Sequence, residues 1–223
     1  MTDKEYIIGF DEVGRGALAG PVVVAAVALP KNLSSRFYKN PQANPRIKRS
    51  CILKQKSISL WKRGKIRLKD SKKLNARQRT YFESRLKENN SVFFAISRVS
   101  NKIIDRINIS NAANLAAFKS FKKVKAKLGN NANLSIILDG GLYLKNKKYS
   151  LKIAKTIVKA DEKFNAVKLA SIIAKLNRDR IMVRMAKTYP QYEFEVHNGY
   201  GVKRHLAAIK KYGKSDFHRL TFY

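Results

Sequence analysis

Four acidic residues stand where short apolar segments of the sequence end. Asp11 and Glu12 close one segment, Asp139 closes another, and Asp161 follows a third. The chain has only 15 Asp and Glu residues against 48 Lys and Arg, so this placement is informative. Carboxylates that share a cleft repel one another, and each is pushed toward its neutral form unless a cation lies between them. Hard oxygen ligands of this kind suit Mg²⁺ or Mn²⁺, although each acid taken alone could be a turn or capping residue.

A pair of divalent ions in such a cleft would define the chemistry. Two ions about 3.5–4 Å apart activate a water molecule and stabilise the leaving oxygen when a phosphodiester is hydrolysed. The formal net charge of +33 indicates a polyanionic partner, with nucleic acid as the first choice and an anionic membrane as the second. The longest apolar run, residues 21–30, is about half as long as a membrane-spanning helix requires. Because the first residues also lack the pattern of a signal peptide, we expect a cytoplasmic protein without a membrane partner.

Other site chemistries fit the sequence less well. The glycine-rich residues 14–20 are followed by a proline and an apolar strand, whereas a dinucleotide-binding loop would open a helix. The single cysteine, Cys51, excludes an intrachain disulfide, and it has no zinc-ligand spacing with His197, His205 or His218. We expect each histidine to be a surface or hydrogen-bonded residue rather than a catalytic one.

The elements that must position the acids form two groups along the chain. Apolar runs predict strands at residues 6–10, 22–29, 92–96, 134–138 and 151–158. Capping patterns predict helices that begin at Asn75 and at Ser110 or Asn111, and a long third helix ends at Tyr189. Because the early strands follow one another and the later ones alternate with helices, we expect an α/β fold with a mixed central sheet flanked by helices. We expect a single domain over residues 1–223.

One segment differs from the rest in charge. Residues 31–73 contain 15 Lys and Arg and a single acid, Asp70, which gives a net charge of +14 over 43 residues. We interpret its main part, about residues 31–68, as a basic insertion after the second strand. It is either a solvated loop or an additional contact for nucleic acid.

The segment Gly-Phe-Asp-Glu-Val-Gly-Arg-Gly-Ala-Leu-Ala-Gly-Pro-Val-Val at residues 9–23 closely resembles ribonuclease HII, the bacterial type 2 ribonuclease H. Later matches follow in the same order, at residues 70–74, 138–140, 159–161, 170–175, 178–180, 199–205 and 218–222. The resemblance excludes roughly residues 31–68. It implies a ribonuclease H-like fold and a metal-dependent endonuclease, with Mg²⁺ or Mn²⁺ as cofactor. Such an enzyme hydrolyses the RNA strand of RNA–DNA hybrids, cuts 5′ of ribonucleotides embedded in duplex DNA, and leaves 5′-phosphomonoesters by two-metal hydrolysis.

The resemblance also implies roles for individual residues, and we expect the protein to act on nucleic acid as a monomer. The implied catalytic and metal-binding residues are Asp11, Glu12, Asp139 and Asp161. The implied substrate-binding residues are the loop Gly14, Arg15 and Gly16 and the junction-sensing Tyr200.

Two departures from the family pattern and one rival interpretation stay open. Ala160 replaces a glycine before Asp161, and Asn198 replaces a lysine or arginine before Gly199, which removes one phosphate contact. The rival is a catalytically silent, basic nucleic-acid-binding protein on the same fold, which the large positive charge favours. The four carboxylates argue against it, because in a pure binder they would repel phosphate.

Overall fold

A mixed five-stranded sheet forms the centre of the protein in a computed structural model, which describes residues 5–34, 68–129, 132–144 and 154–222. The strands are β1 (Glu5–Val13), β2 (Val22–Pro30), β3 (Phe93–Val99), β4 (Asn133–Asp139) and β5 (Ala154–Ile157). Their order across the sheet is β3-β2-β1-β4-β5. The pairs β1–β2 and β2–β3 are antiparallel, whereas β1–β4 and β4–β5 are parallel. The expectation of a mixed α/β sheet is therefore confirmed.

Helices cover both faces of this sheet. The described helices are α1 (Lys31–Ser34), α2 (Ala76–Glu88), α3 (Asn101–Ile107), α4 (Ile109–Leu128), α5 (Ala160–Lys163), α6 (Asn165–Thr188), α7 (Phe194–His197) and α8 (Lys203–Tyr212). Helix α4 packs against β2 and β3 in one apolar cluster, which also includes residues of β1 and β4, and α6 packs with α2 on the opposite face. Because both faces are covered, β2 is a continuous apolar run rather than an alternating one.

Gly9 on β1 allows the long helix to approach the sheet closely. A Cβ atom at this position would lie 2.2 Å from the backbone nitrogen of Val167, near the start of α6. A side chain there would push the helix away from β1, so only glycine fits. The close approach fixes the N-terminal part of α6 beside the strand that carries Asp11.

The structure corrects the predicted boundaries between β3 and β4. Helix α4 begins at Ile109 and its N-cap is Asn108, not Ser110 or Asn111, because the Asn108 side chain accepts a hydrogen bond from the Asn111 N–H. The preceding helix α3 was not predicted, since only Asn108, with φ of 64°, separates it from α4. The capping box at Asn75 is confirmed. For the last predicted strand, residues 151–153 lie outside the described part and β5 begins at Ala154.

The predicted basic insertion lies almost entirely outside the described residues. Helix α1 follows β2 directly, and Leu68 packs on the cluster between the sheet and α6. A 3₁₀ turn at Ser71–Lys73 then leads into α2. Within the described part of the chain, no helix is long and apolar enough to cross a membrane.

Candidate active site

The parallel strands bring the predicted acids to one edge of the sheet. Phe10 on β1 pairs with Leu138 on β4, so Asp11 and Asp139 come next on neighbouring strands. Asp139 pairs in turn with Ile157, the last residue of β5, and α5 with Asp161 begins three residues later. Because the carboxyl ends of parallel strands meet at one edge of a sheet, functional groups converge there.

The charge of Asp139 contributes to the pKa shifts of the other three carboxyl groups. Burial raises the pKa of Asp11 well above its ordinary value, and the charges of Glu12 and Asp139 add to the rise. Burial also raises the pKa of Glu12 to about 7, with Asp139 adding to the rise and Arg15 opposing it. The pKa of Asp161 is raised by burial first and then by Asp139. Asp139 therefore acts on each of the other three groups, and the cluster is unfavourable when all four are ionised.

Hydrogen bonds hold two of these carboxylates in place. Oδ1 of Asp11 accepts the N–H of Glu12 at 2.7 Å, and Oδ1 of Asp139 accepts the N–H of Ala160 at 2.7 Å. Asp11 is also hydrogen-bonded to Ser171 on α6, which lowers its pKa against the effect of burial. Ala160 makes this contact without a positive φ, so its backbone does not require the glycine of the family pattern.

The donor atoms of these acids have the chemistry that a divalent cation requires. One oxygen of Glu12, Oε2, is buried and has no hydrogen-bond partner among the described residues, whereas Oε1 lies 3.4 Å from the Arg15 guanidinium. All the possible ligand atoms are hard carboxylate oxygens. A bound cation would reduce the repulsion between the carboxylates and would give Oε2 of Glu12 a partner. Within the described ranges, no three His, Cys, Asp or Glu side chains come close enough to share one ion in the present geometry.

A fifth acid, Asp70, belongs to the same neighbourhood but was not predicted as a site residue. Its charge raises the pKa of Asp161. Its side chain accepts the backbone N–H of Lys72 and caps the 3₁₀ turn before α2. The signal that could have found it was the match at residues 70–74, where it is the one acid of a strongly basic segment.

The loop that contains Gly14, Arg15 and Gly16 follows β1 directly. Gly14 has φ of +90°, and a Cβ atom there would lie 2.3 Å from Nε of Arg178, so this position requires glycine. Gly16 is exposed, and no heavy atom lies within 4 Å of where its Cβ would be. The Arg15 guanidinium donates to the Gly141 carbonyl at 3.2 Å and to the Ser110 hydroxyl at 3.1 Å.

Two buried arginines bind the backbone of this loop and of the residues that flank it. Arg178 donates to the carbonyls of Ala19, Pro21 and Asn198, and Arg219 donates to those of Gly14, Arg15 and Gly20. Both side chains are almost fully buried, and burial lowers the pKa of Arg219 to about 9. Neither role was predicted, and the signal that could have found it was the family matches at residues 178–180 and 218–222, which contain these two of the 48 basic residues.

The structure places Tyr200 beside the same loop. Tyr200 forms an antiparallel bridge with Ala17, and the N–H of Leu18 donates to the Gly199 carbonyl at 2.8 Å. The Tyr200 ring is 38% exposed, and the Arg178 guanidinium lies 5.5 Å from its centroid. The predicted substrate-binding residues therefore lie next to one another, and Arg178 contacts both Tyr200 and the loop.

Comparisons of the sequence with a family model and with individual relatives indicate the same family. The sequence model described as Ribonuclease HII matches residues 8–40 and 50–223, so of the basic segment only residues 41–49 lie outside the match. Relatives named Ribonuclease HII include those of Endomicrobium trichonymphae (37% identical, 97% of this chain and 84% of the relative) and Borreliella burgdorferi (36%, 97% and 98%). The relative in Bacillus cytotoxicus is 39% identical over 97% of this chain and 68% of its own length.

Solved structures share the fold at lower identity. The chain matches ribonuclease HII in the PCNA:RNase HII complex from Archaeoglobus fulgidus with a TM-score of 0.61 and 22% identity, over 97% of this chain and 93% of that one. It matches Bst-RNase HIII in complex with Mn²⁺ with a TM-score of 0.61 and 20% identity, over 95% and 64%. The fold is therefore ribonuclease H-like. Because the family model matches nearly the whole sequence and relatives cover it at more than 30% identity, this chain belongs to the ribonuclease HII family.

Proposed function

We propose that this protein is a metal-dependent endoribonuclease that cleaves the RNA strand of RNA–DNA hybrids and cuts 5′ of ribonucleotides embedded in duplex DNA. The observation that carries the proposal is the edge of the sheet where Asp139 couples electrostatically to Asp11, Glu12 and Asp161. Family membership supplies the ribonuclease H activity. The acidic edge supports a phosphodiester as the bond that is cleaved.

The four carboxylates are the residues that would hold Mg²⁺ or Mn²⁺. Bound there, the metal supplies an activated water and stabilises the leaving oxygen, which gives a 5′-phosphate product. The chain's own residues orient this site: Ser171 holds Asp11, the Ala160 N–H holds Asp139, and Arg15 holds one oxygen of Glu12. The Mn²⁺ bound to the structurally similar Bst-RNase HIII supports this kind of ion.

The loop and Tyr200 are the proposed substrate contacts. The exposed Gly16 leaves its backbone open to a minor groove, where the 2′-hydroxyl distinguishes RNA from DNA. The guanidinium of Arg15 lies between the loop and the acidic edge, so it can hold an adjacent phosphate while it contacts Glu12. The exposed ring of Tyr200 would stack on the sugar of the next deoxynucleotide, and a second 2′-hydroxyl would crowd it. The net charge of +33 supports binding of the duplex through its phosphates.

A duplex with one embedded ribonucleotide tests the proposal. We expect cleavage 5′ of the ribonucleotide with Mg²⁺ or Mn²⁺, no cleavage with EDTA, and no cleavage of an all-DNA duplex. Asp139→Asn should abolish cleavage, whereas Glu88→Gln is a matched control that removes one exposed charge on α2. Equal activity of the Asp139 variant and the control would contradict the proposed site.

The same experiment tests the rival function, a catalytically silent binding protein. Its support is the charge excess, which exceeds what an enzyme requires. Tight binding of the duplex without cleavage in either metal would favour the rival. Weaker binding of the wild type than of Asp139→Asn in EDTA would show that the carboxylates repel phosphate, as an active site without its metal should.

A further inference from the structure

The three histidines of the chain form a buried cluster beside Tyr200. His197, His205 and His218 are 8%, 0% and 2% exposed. The rings of His197 and His205 stack with centroids 4.4 Å apart, and Nε2 of His205 lies 3.0 Å from Nε2 of His218. The proposed hydrolysis uses none of these groups, so their burial needs another explanation.

The contacts of His218 fix the position of its proton. The backbone N–H of Ser215 donates to Nδ1 of His218 at 2.9 Å, so Nδ1 is the unprotonated nitrogen. Burial lowers the pKa of His218 to about 4 and also lowers the pKa of His205, so both rings are neutral at pH 7. A neutral imidazole carries one proton. In His218 that proton is on Nε2, which faces His205.

The same direction of hydrogen-bond donation continues from His205 to Tyr200. Nε2 of His205 accepts the proton of His218 in the 3.0 Å contact, so His205 carries its own proton on Nδ1. That nitrogen lies 3.0 Å from the backbone carbonyl of Tyr200, which can only accept. The path from Ser215 through both histidines to Tyr200 thus has one consistent direction.

The third histidine holds the backbone that leads into Tyr200. Asn198 and Gly199 both have positive φ, 51° and 74°. The Gly199 N–H donates to Nδ1 of His197 at 3.2 Å, and Nε2 of His197 lies 2.7 Å from the Tyr192 carbonyl. Since neighbouring groups already use both ring nitrogens of each histidine, the cluster offers no lone pairs to a metal ion.

We propose that His218 and His205 are positioning residues, a hydrogen-bond relay that fixes Tyr200 for recognition of the junction between a ribonucleotide and the following deoxynucleotide. The inference rests on the proposed function for the role of Tyr200, but the relay itself rests on the contacts above. Without the donor on His218, His205 is free to carry its proton on Nε2. Its Nδ1 lone pair would then face the Tyr200 carbonyl, which would keep only the N–H of Val202 as a donor at 2.8 Å.

The first test determines the tautomers directly. Nitrogen-15 NMR of the histidine side chains at pH 7 should show protonated Nε2 in His218 and protonated Nδ1 in His205. His218→Leu should shift the ring signals of Tyr200, and His218→Gln, which keeps an amide donor at this position, should shift them less. The opposite tautomers, or Tyr200 signals that do not respond to His218→Leu, would overturn the relay whether or not the protein cleaves nucleic acid.

The second test measures the functional role with a double-mutant cycle. On a duplex with one ribonucleotide, His218→Leu should lower kcat/KM about tenfold, which is the scale of one lost hydrogen bond. A continuous RNA–DNA hybrid should be affected less, because there a second 2′-hydroxyl already crowds the tyrosine ring. In the Tyr200→Ala background the same substitution should cause no further loss, and His218→Gln should restore most of the rate.

A control separates positioning from general destabilisation. Val124→Ala opens space in the buried cluster beneath α4, in a different part of the core. It should lower Tm while leaving unchanged the ratio of the kcat/KM values for the two substrates. If His218→Leu causes equal losses with and without Tyr200, the histidine is only structural and the proposal is wrong. If the wild type cleaves neither substrate, the proposed function fails, and the tautomers and the Tyr200 signals still decide whether the relay exists.

Discussion

Replacing Glu12 with glutamine should stabilise the metal-free protein at alkaline pH. Burial raises the pKa of Glu12 from 4.5 to about 7, so its ionised form is disfavoured in the folded state. A shift of about 2.5 units corresponds to about 3.4 kcal/mol of lost stability once the group is ionised in both states. The contact with Arg15 is already part of this shift, because it lowers the pKa of Glu12, so its weakening in glutamine needs no separate correction. The expected gain at pH 8.5 is therefore about 3 kcal/mol.

The sign of the effect follows from the direction of the pKa shift. Below pH 4.5 the carboxyl group is protonated in both the folded and the unfolded chain, so Glu12 has no pH-linked cost there. The cost grows between pH 4.5 and about 7, and above that it is fully present. The difference between variant and wild type should therefore be small at pH 4.5 and should grow up to pH 8.5. His218 titrates in both proteins, so the comparison cancels its contribution. Loss of the Glu12 charge also lessens the rise in the pKa of Asp11, which adds to the gain in the same direction.

Urea unfolding followed by circular dichroism at several pH values, with EDTA present, measures this difference. Glu88→Gln changes the net charge equally on an exposed site, so it should show no comparable rise with pH. Adding Mg²⁺ should raise the stability of the wild type more than that of Glu12→Gln. A glutamine variant that is no more stable than the wild type at pH 8.5 would refute the claim that this carboxylate is held in an unfavourable charged state.

Three further outcomes are expected. Asp139→Asn should abolish cleavage, a loss in turnover of at least about 10²- to 10³-fold, the scale of a lost charge-stabilising group, with duplex affinity retained. Its amide oxygen can still accept the Ala160 N–H, so rate and affinity should separate in single-turnover and binding assays. Tyr200→Ala should slow cleavage at a single ribonucleotide by about tenfold, the lower part of the range of about 1–3 kcal/mol found for an aromatic ring that stacks on a base, and an unchanged rate would remove Tyr200 from the site. Deleting residues 41–49, which lie outside the described part and carry three basic residues, should flatten the log–log salt dependence of binding by up to about 0.9 per lost phosphate contact. An unchanged slope would mean that this stretch is only a solvated loop.

The strands and the acidic edge were predictable because their signals are local. An apolar run such as residues 22–29 is bounded by prolines, and its length fits a strand buried on both faces. Acids at the ends of such runs converge whenever the strands are parallel neighbours, as Asp11 and Asp139 are. The helix boundary near Asn108 was less predictable, because several residues that can cap a helix follow one another there.

The supports of the site could not be predicted from local patterns. Arg178 binds the carbonyl of Pro21, 157 residues earlier, and Arg219 binds that of Gly14, 205 residues earlier. The lack of zinc-ligand spacing argued against the histidines as metal ligands, but spacing carries no information about ring nitrogens that meet in the folded chain. Such contacts depend on the tertiary structure, because each donor finds its acceptor in a distant segment of the chain.

The distribution of charge supports the proposed requirement for a metal ion. Several acids of the chain lie together at one edge of the sheet. The buried guanidinium groups of Arg178 and Arg219 beside the neighbouring loop are instead hydrogen-bonded to backbone carbonyls and form no ion pair with a carboxylate of the described residues. A phosphate is therefore attracted by the basic surface and by Arg15, but it meets carboxylate repulsion at the place where cleavage is proposed. A divalent cation bound there would remove that repulsion and would satisfy the buried oxygen of Glu12. A protein that only bound nucleic acid would gain affinity by losing these acids, which is why their retention favours catalysis over silent binding.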